Sequence, residues 1–314
     1  MTAQATHGAE RLPQEAVVPA PPKRAVALRH SLGSTSEILR RDRFALAGVI
    51  IYAVLILVAI FAPLLAPHDP HVIMQDDGIW LTNEPPSSRF WLGTTNVGRD
   101  IFSQLIYGAR PALLVGFSAA FIVVLIGTIV GLIAGYFGGW VDTLLMRLTD
   151  VAFGIPFLPF VIVLVAFLGP NVWNVVLAMG LLLWRDTARV IRSQVLTVRE
   201  RAFVQAALVS GAGAWRTIFV YVAPNILALS LLYGTLAIGW AILTEASVSF
   251  LGFGDPEVVS WGFMLQDAYV SQALARGAYY WFVPPGLCIM FAVMAGFFIG
   301  RGYEELLFPR LRER

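Results

Sequence analysis

The sequence predicts an all-α membrane protein with six transmembrane helices, and three observations carry that prediction. Of its 314 residues 58% are hydrophobic and only 13% charged, with a mean hydropathy of +0.73, a balance that a water-soluble domain cannot cover with polar surface. The apolar residues fall into long runs, most of them near the ~20 residues that a helix needs to cross a hydrocarbon core of about 30 Å. Arginines gather in the first tail, between the fourth and fifth runs and in the last tail, whereas the two segments on the other side hold only Arg89, Arg99, Arg110 and Arg276. By the positive-inside rule both termini and the stretch 199–225 are then cytosolic.

The same composition excludes several chemistries. The single cysteine, Cys288, sits inside an apolar run, so no intrachain disulfide can form, and a small buried hydrophobe is a plainer reading of it than a reactive thiol. Lys23 is the only lysine and lies in a Pro-rich tail. A phosphate-binding loop needs a lysine directly after its second glycine, so this chain has no ATP site of that kind, no cofactor of its own is expected, and any ATP-driven motor must be a separate chain. No nucleic-acid partner is expected.

Taken in order, residues 1–43 are rich in Ala, Pro, Arg and Ser without a periodic apolar face and are expected to be a flexible cytosolic tail. Arg40-Arg41 invites a twin-arginine signal reading, but the run that follows is long enough to span and further spans come after it, which favours an uncleaved first helix over 44–66. Residues 67–111 are polar and are expected to form an external segment with an interfacial helix, folded over the mouth of the bundle. His68 and His71 have His-x-x-His spacing beside Asp69, but two histidines next to prolines in a loop are more simply solvated, and no metal site is assigned. The element Gly93-Thr94-Thr95-Asn96-Val97-Gly98-Arg99-Asp100 is a near miss for a phosphate loop: Arg99 replaces the lysine, and Asp100 would repel phosphate. Arg99 and Asp100 read either as polar contacts holding the interfacial helix or as substrate contacts.

A five-helix core is expected over 112–302. In its first helix, 112–136, Gly127, Gly131 and Gly135 recur every four residues and give a ridge that another helix can approach closely. The third span, 144–168, contains Pro156 and Pro159 and is expected to be kinked. Arg147 and Asp150 at its inner end can pair, as a structural ion pair or a gate element. The fourth span starts at Val172, and its purely apolar part ends at Trp184, only about 20 Å of helix, so Arg185, Asp186 or Arg189 must enter the inner leaflet facing protein or a wet funnel. In the fifth span, 226–246, Glu245 stands at the outer end, either as a hydrogen-bonded structural group or in the pathway. Asp150, Arg185 and Glu245 are therefore the translocation-path or gate candidates. The sixth span, 281–300, opens on Pro284 and Pro285, and residues 303–314 form a cytosolic tail.

Between the fourth and fifth spans lies an amphipathic stretch, 199–225, with Phe203, Ala206, Ala207 and Ser210 or Gly211 at helical spacing on one expected face. It reads as a helix broken near Gly211 and Gly213, then a second helix. An interfacial helix without a partner has the same amphipathicity. However, Gln205, Ala206, Ala207, Gly211 and Pro224 fall at the spacing of the coupling loop in permease subunits of ABC importers, and Ala206, Ala207, Gly211 and Pro224 match that signature. Gln205, Tyr221 and Ala223 depart from its commonest residues.

Further motifs carry the same resemblance. Gly93, Gly98, Arg99 and Asp100, followed by IFSQLIYGAR, resemble an external motif of the dipeptide, oligopeptide and nickel branch, with Thr95 where Asp is usual. The run Leu243 to Gly252 and Ser260-Trp261-Gly262 resemble the same branch, and the stretch Thr244 to Gly252 looks like the second of the two permease types that pair in it. The resemblance implies a type I ABC importer transmembrane domain in a bacterial inner membrane. It implies in turn a heterodimer with a second homologous permease, two cytosolic ATP-binding subunits that hold ATP and Mg, and an external substrate-binding protein. An ion-coupled secondary transporter would use Glu245, Asp150 or Asp186, but no internal repeat supports it. An intramembrane enzyme would need a nucleophile and base at one depth, and no span contains a histidine.

Overall fold

The structure, a computed structural model, describes residues 42–307, so the N-terminal tail except its last two residues, including Lys23 and Arg40-Arg41, lies outside them, as does the end of the C-terminal tail. Among the described residues the architecture is helical, apart from the irregular segment 66–100, which contains a short hairpin pairing β1 (Gln75–Asp76) with β2 (Ile79–Trp80). Helix α1 (Arg43–Ile60) starts at Asp42, whose carboxylate accepts from the Phe44 N–H at 2.8 Å and caps an otherwise unpaired donor. It stops at Phe61, and Pro63 sits in the first turn of the short α2 (Ala62–Leu65).

Residues between α2 and α3 (Ile101–Tyr107) make a compact cap, followed by the 29-residue α4 (Ala109–Phe137). Gly138 and Gly139, both at positive φ, turn the chain into α5 (Gly139–Gly154). The expected single kinked helix over 144–168 is instead two: α5 and α6 (Phe157–Leu168) meet at 84°. Pro156 has no N–H and bars the residue before it from helical dihedrals, so Ile155 is extended and the helix ends there. Neither half crosses alone, since their 16 and 12 residues span only about 24 and 18 Å.

Helix α7 (Val172–Arg199) runs on past Trp184 without a break and leads into α8 (Ala202–Val209) and the short α9 (Ala214–Arg216). A π-helical turn over Thr217–Val222 then passes into α10 (Ala223–Phe250), with Pro224 in its first turn, where a missing N–H is tolerated. Helices α11 (Trp261–Val270) and α12 (Tyr279–Leu307) complete the order, and Pro284 and Pro285 lie inside α12 rather than opening it.

Among the described residues four segments can cross a membrane by length and composition, or five if the bent α5–α6 pair is one span. The expected count of six is reached only by adding α7. Its 28 residues are long enough, but its first eighteen already include Arg185, Asp186 and Arg189.

The core is set by close helix pairs, above all α4 on α7. A Cβ on Gly127, Gly131 or Gly135 would lie 2.6 Å from Thr187 Cβ, 2.7 Å from the Ala188 carbonyl oxygen and 2.7 Å from Val195 Cβ respectively, so the expected glycine ridge is the surface on which α7 rests. Similar contacts bring α1 to α12 at Gly48 and α10 to α11 at Gly262, whose Cβ would come 2.4 Å from the Ala246 carbonyl.

Candidate functional site

Helix α8 is short because its own end is built to stop it. The chain leaves through Ser210 to Gly211, which has φ +80°, the left-handed geometry that glycine adopts without a Cβ penalty. The Gly211 N–H then donates to the Leu208 carbonyl and the Ala212 N–H to the Ala207 carbonyl, both at 3.0 Å, the paired bonds of a Schellman turn. No atom lies within 4 Å of where a Gly211 side chain would begin, so the turn projects into open space.

The face of α8 differs from the expected one. Val204 and Ala207 are turned inward, and Val204 joins Ile191, Val195, Val198, Ile218 and Val222 in an apolar cluster beneath the elbow. Phe203 points outward, 42% exposed, because it lies one residue, about 100°, from Val204 around the helix. Ala206 is half-buried, and Gln205 and Pro224 are exposed, the latter in the first turn of α10 rather than on α8. Val209 at 90%, Trp215 and Phe219 add exposed apolar surface, and Trp215 stacks on Phe219 with ring centroids 5.9 Å apart.

Polar contacts fasten the base of this elbow. The Gln205 side-chain amide donates to the Arg199 carbonyl at 3.1 Å, a bond that a glutamate carboxylate at this position could not donate. The Arg199 guanidinium donates to the Tyr136 carbonyl at 2.9 Å, in the last turn of α4. Further up α7, Arg192 forms a two-pronged pair with Asp142 of α5. Asp150 does not pair with Arg147, which is exposed, but with Arg189 of α7 at 2.7 Å. Arg185 reaches the Ala152 and Ile155 carbonyls at the bend between α5 and α6. Arg189, Arg192 and Arg199 were not singled out as site residues from the sequence. The signal for them is the spacing: with Arg185 they stand at i, i+4, i+7 and i+14, one face of a helix.

At the other end of the bundle, Glu245 is 5% exposed on α10. Its carboxylate accepts from the Ser249 hydroxyl at 2.7 Å and lies beside Ser260, the residue that caps α11 by accepting from the Phe263 N–H. Glu245 thus links the last turns of α10 to the first of α11, far along the chain from Asp150 and Arg185 and on a different pair of helices.

The Gly93 to Asp100 element is a tight loop. Gly93 and Gly98 both have positive φ, and a Cβ on Gly93 would lie 2.3 Å from the Glu84 carbonyl. Asp100 caps α3 by accepting from the Ser103 N–H, and His68 Nδ1 lies 3.2 Å from the same carboxylate oxygen. Arg99 lies on the side facing Asp267 of α11. Burial pushes the Asp267 carboxyl above its ordinary range, and the Arg99 charge pulls it partly back. A raised carboxyl means that the folded state holds the proton more tightly than the unfolded one, so stability falls as pH rises through the interval above the ordinary aspartate value. Asp267→Asn is accordingly expected to raise the melting midpoint of the purified protein at pH 7 and to leave it nearly unchanged at pH 4. An equal shift at both pH values would contradict this.

Comparison with known proteins points in one direction. Residues 127–313 match the family of binding-protein-dependent transport system inner membrane components, and residues 35–86 match the N-terminal transmembrane domain of oligopeptide transport permease C. The chain is 37% identical to the dipeptide transport system permease protein DppC of Alkalihalophilus pseudofirmus, over 87% of this chain and 88% of that one. It is 36% identical to the oligopeptide permease OppC of Bacillus subtilis, over 87% and 88% of the two chains, and 34% identical to the glutathione permease GsiD of Pectobacterium atrosepticum, over 87% and 89%.

Proposed function

Because the chain belongs to the family of inner membrane components of binding-protein-dependent transport systems, we propose that the elbow around α8 is where a cytosolic ATPase subunit takes hold of it. The chain is a permease subunit of an ABC importer, similar to the DppC and OppC permeases, and not an ion-coupled transporter. The cargo in this reading is a peptide or a related small solute, as the names of its relatives suggest. A second homologous permease completes the path, two ATP-binding subunits carry ATP and Mg, and an external binding protein delivers cargo. Both termini and the elbow face the cytosol of a bacterial cell, with Gly93 to Asp100 and α11 on the outer side.

The observation that carries the docking reading is the combination of exposed apolar side chains, Phe203 and Val209 foremost, on a glycine-ended helix whose base is fastened to α4 and α7. Exposed apolar area at a rigid tip is what a partner's groove can bury. When the ATPases close around ATP they displace α8. The displacement passes through Val204 into the cluster below, and through Arg199 into the end of α4. Cargo contributes by binding one arrangement of the helices more tightly than the other, with no chemistry on this chain. In this reading Glu245 is a structural link between α10 and α11 rather than part of the path, and Asp100 holds α3 rather than substrate.

A direct test places a cysteine at Val209 in a Cys288→Ser chain co-expressed with its transport partners. A short bifunctional cross-linker is expected to join it to an ATP-binding subunit, with the yield changing on addition of ATP. No adduct in any nucleotide state, in membranes that do take up labelled peptide with ATP, would refute docking at this surface.

A further inference from the structure

The 84° bend between α5 and α6 creates a backbone problem that one side chain solves. In a continuous helix the carbonyls of Ala152 and Ile155 would accept from the N–H groups of residues 156 and 159. Both of those residues are prolines and have none. Inside a membrane an unpaired backbone carbonyl finds no water, so a break there must be satisfied by the protein itself. Of the carbonyls left without helical donors at the break, the two whose donors would have been the prolines are the two that Arg185 reaches: its Nη1 donates to the Ala152 oxygen and, at 3.5 Å, to the Ile155 oxygen. Its side chain is only 12% exposed, and its guanidinium lies over the Phe153 ring at 4.7 Å from the centroid. One turn further along α7, Arg189 covers the same ring at 4.2 Å and pairs with Asp150.

We infer that Arg185 is a positioning residue for transport, which stands in for the two donors that Pro156 and Pro159 lack and thereby pins the bent α5–α6 segment to α7. Helix α7 leads directly into the elbow, so the latch places the bend under the control of whatever moves α8; this last step rests on the docking reading above. The geometry assigns the job to arginine. Its planar fork can donate from several directions while lying flat on Phe153, whereas a lysine ammonium is a compact, strongly hydrated charge that stacks poorly.

The test uses the full chain with its partners in liposomes, in a Cys288→Ser background. Spin labels are placed at Trp140→Cys and Phe167→Cys, the far ends of the bent pair, both exposed (76% and 86%). The parent is expected to give one narrow distance distribution, R185Q a broad one shifted to longer distances, and R185K an intermediate one. In P156A/P159A the backbone regains its own donors, so adding R185Q to that variant should change the distribution little, the non-additivity expected of residues that serve one another. ATP-driven uptake is expected to fall about tenfold in R185Q, roughly the effect of losing one well-placed polar contact in a coupled network.

An unchanged, narrow distribution in R185Q would overturn the latch. So would equal broadening with and without the prolines. A broadened distribution with full uptake would overturn the positioning role. The distance measurement needs no ATPase contact, so a latch that behaves as expected beside an elbow that never cross-links would sink the docking reading alone. Should R185Q fail to accumulate, its recovery in the triple variant supports the inference and continued loss overturns it.

Discussion

Gly131→Leu is expected to abolish accumulation of folded protein. At Gly131 a bare Cβ already lies 2.7 Å from the Ala188 carbonyl oxygen and 2.7 Å from Ile191 Cβ, and one of those two is backbone that cannot rotate away. Four residues to either side, Gly127 and Gly135 make equally close contacts with α7, so the helix cannot shift along its axis to make room without a collision elsewhere. Overpacking a well-fitted interface costs about 1–3 kcal/mol when neighbouring side chains can adjust, and more where backbone must move. Because α4 and α7 form the most extensive helix pair in the structure, separating them also opens the cluster beneath the elbow. The measurement is size-exclusion chromatography of a fluorescent fusion extracted in mild detergent. The variant should give aggregate or no peak, while Gly286→Ala, at a position with nothing within 4 Å, should match the parent. A monodisperse Gly131→Leu peak of parental height would show that the α4–α7 approach is not as close as described.

The second large effect is expected at Gly211, and it should separate coupling from folding. Gly211→Trp forces an L-residue to φ +80°, a conformation that costs roughly 1–2 kcal/mol for residues with a Cβ. Nothing of this chain occupies the space around it, so the spans should insert and pack as before. What changes is the shape of the elbow. Either the Schellman turn is lost and α8 frays, or the turn survives and the indole blocks the surface beside Val209. In both cases ATP-driven uptake into vesicles is expected to fall by about two orders of magnitude, equivalent to about 2.7 kcal/mol of lost coupling. Gly211→Asn is the informative control, because asparagine tolerates the left-handed region. It should keep much of the activity if the turn matters and the space does not need to be empty. Normal uptake in Gly211→Trp, at parental levels in the membrane, would remove the elbow from the mechanism.

Much of the elbow could be read along the chain. A glycine just beyond a short amphipathic run announces a helix end, and the structure places Gly211 in the one conformation that explains its identity. The glycine ridge of α4 was legible for the same kind of reason, since a four-residue period is a property of one helix considered alone. Other features were only half legible. Pro156 and Pro159 announced a disturbance in the third span, but not that it would be an 84° bend between two helices. Amphipathicity located α8, yet it grouped Phe203 with Ala207 on one face, whereas burial divides them. The apolar cluster beneath α8 receives Val204, and a periodic pattern of apolar residues does not say which of two adjacent stripes it will receive.

By itself the sequence determined the features that short-range chemistry controls. These are the apolar lengths that make membrane helices and the glycines and prolines that end or break them. Tertiary structure alone decided which charge meets which. Asp150 lies one turn from Arg147 and yet pairs with Arg189, and Arg185 spends its donors on carbonyls about thirty residues away in sequence. The reason is geometric. A backbone dihedral or a missing N–H acts within one helical turn, whereas a contact between helices depends on how each is rotated and where they cross, which is fixed only when all the helices pack at once.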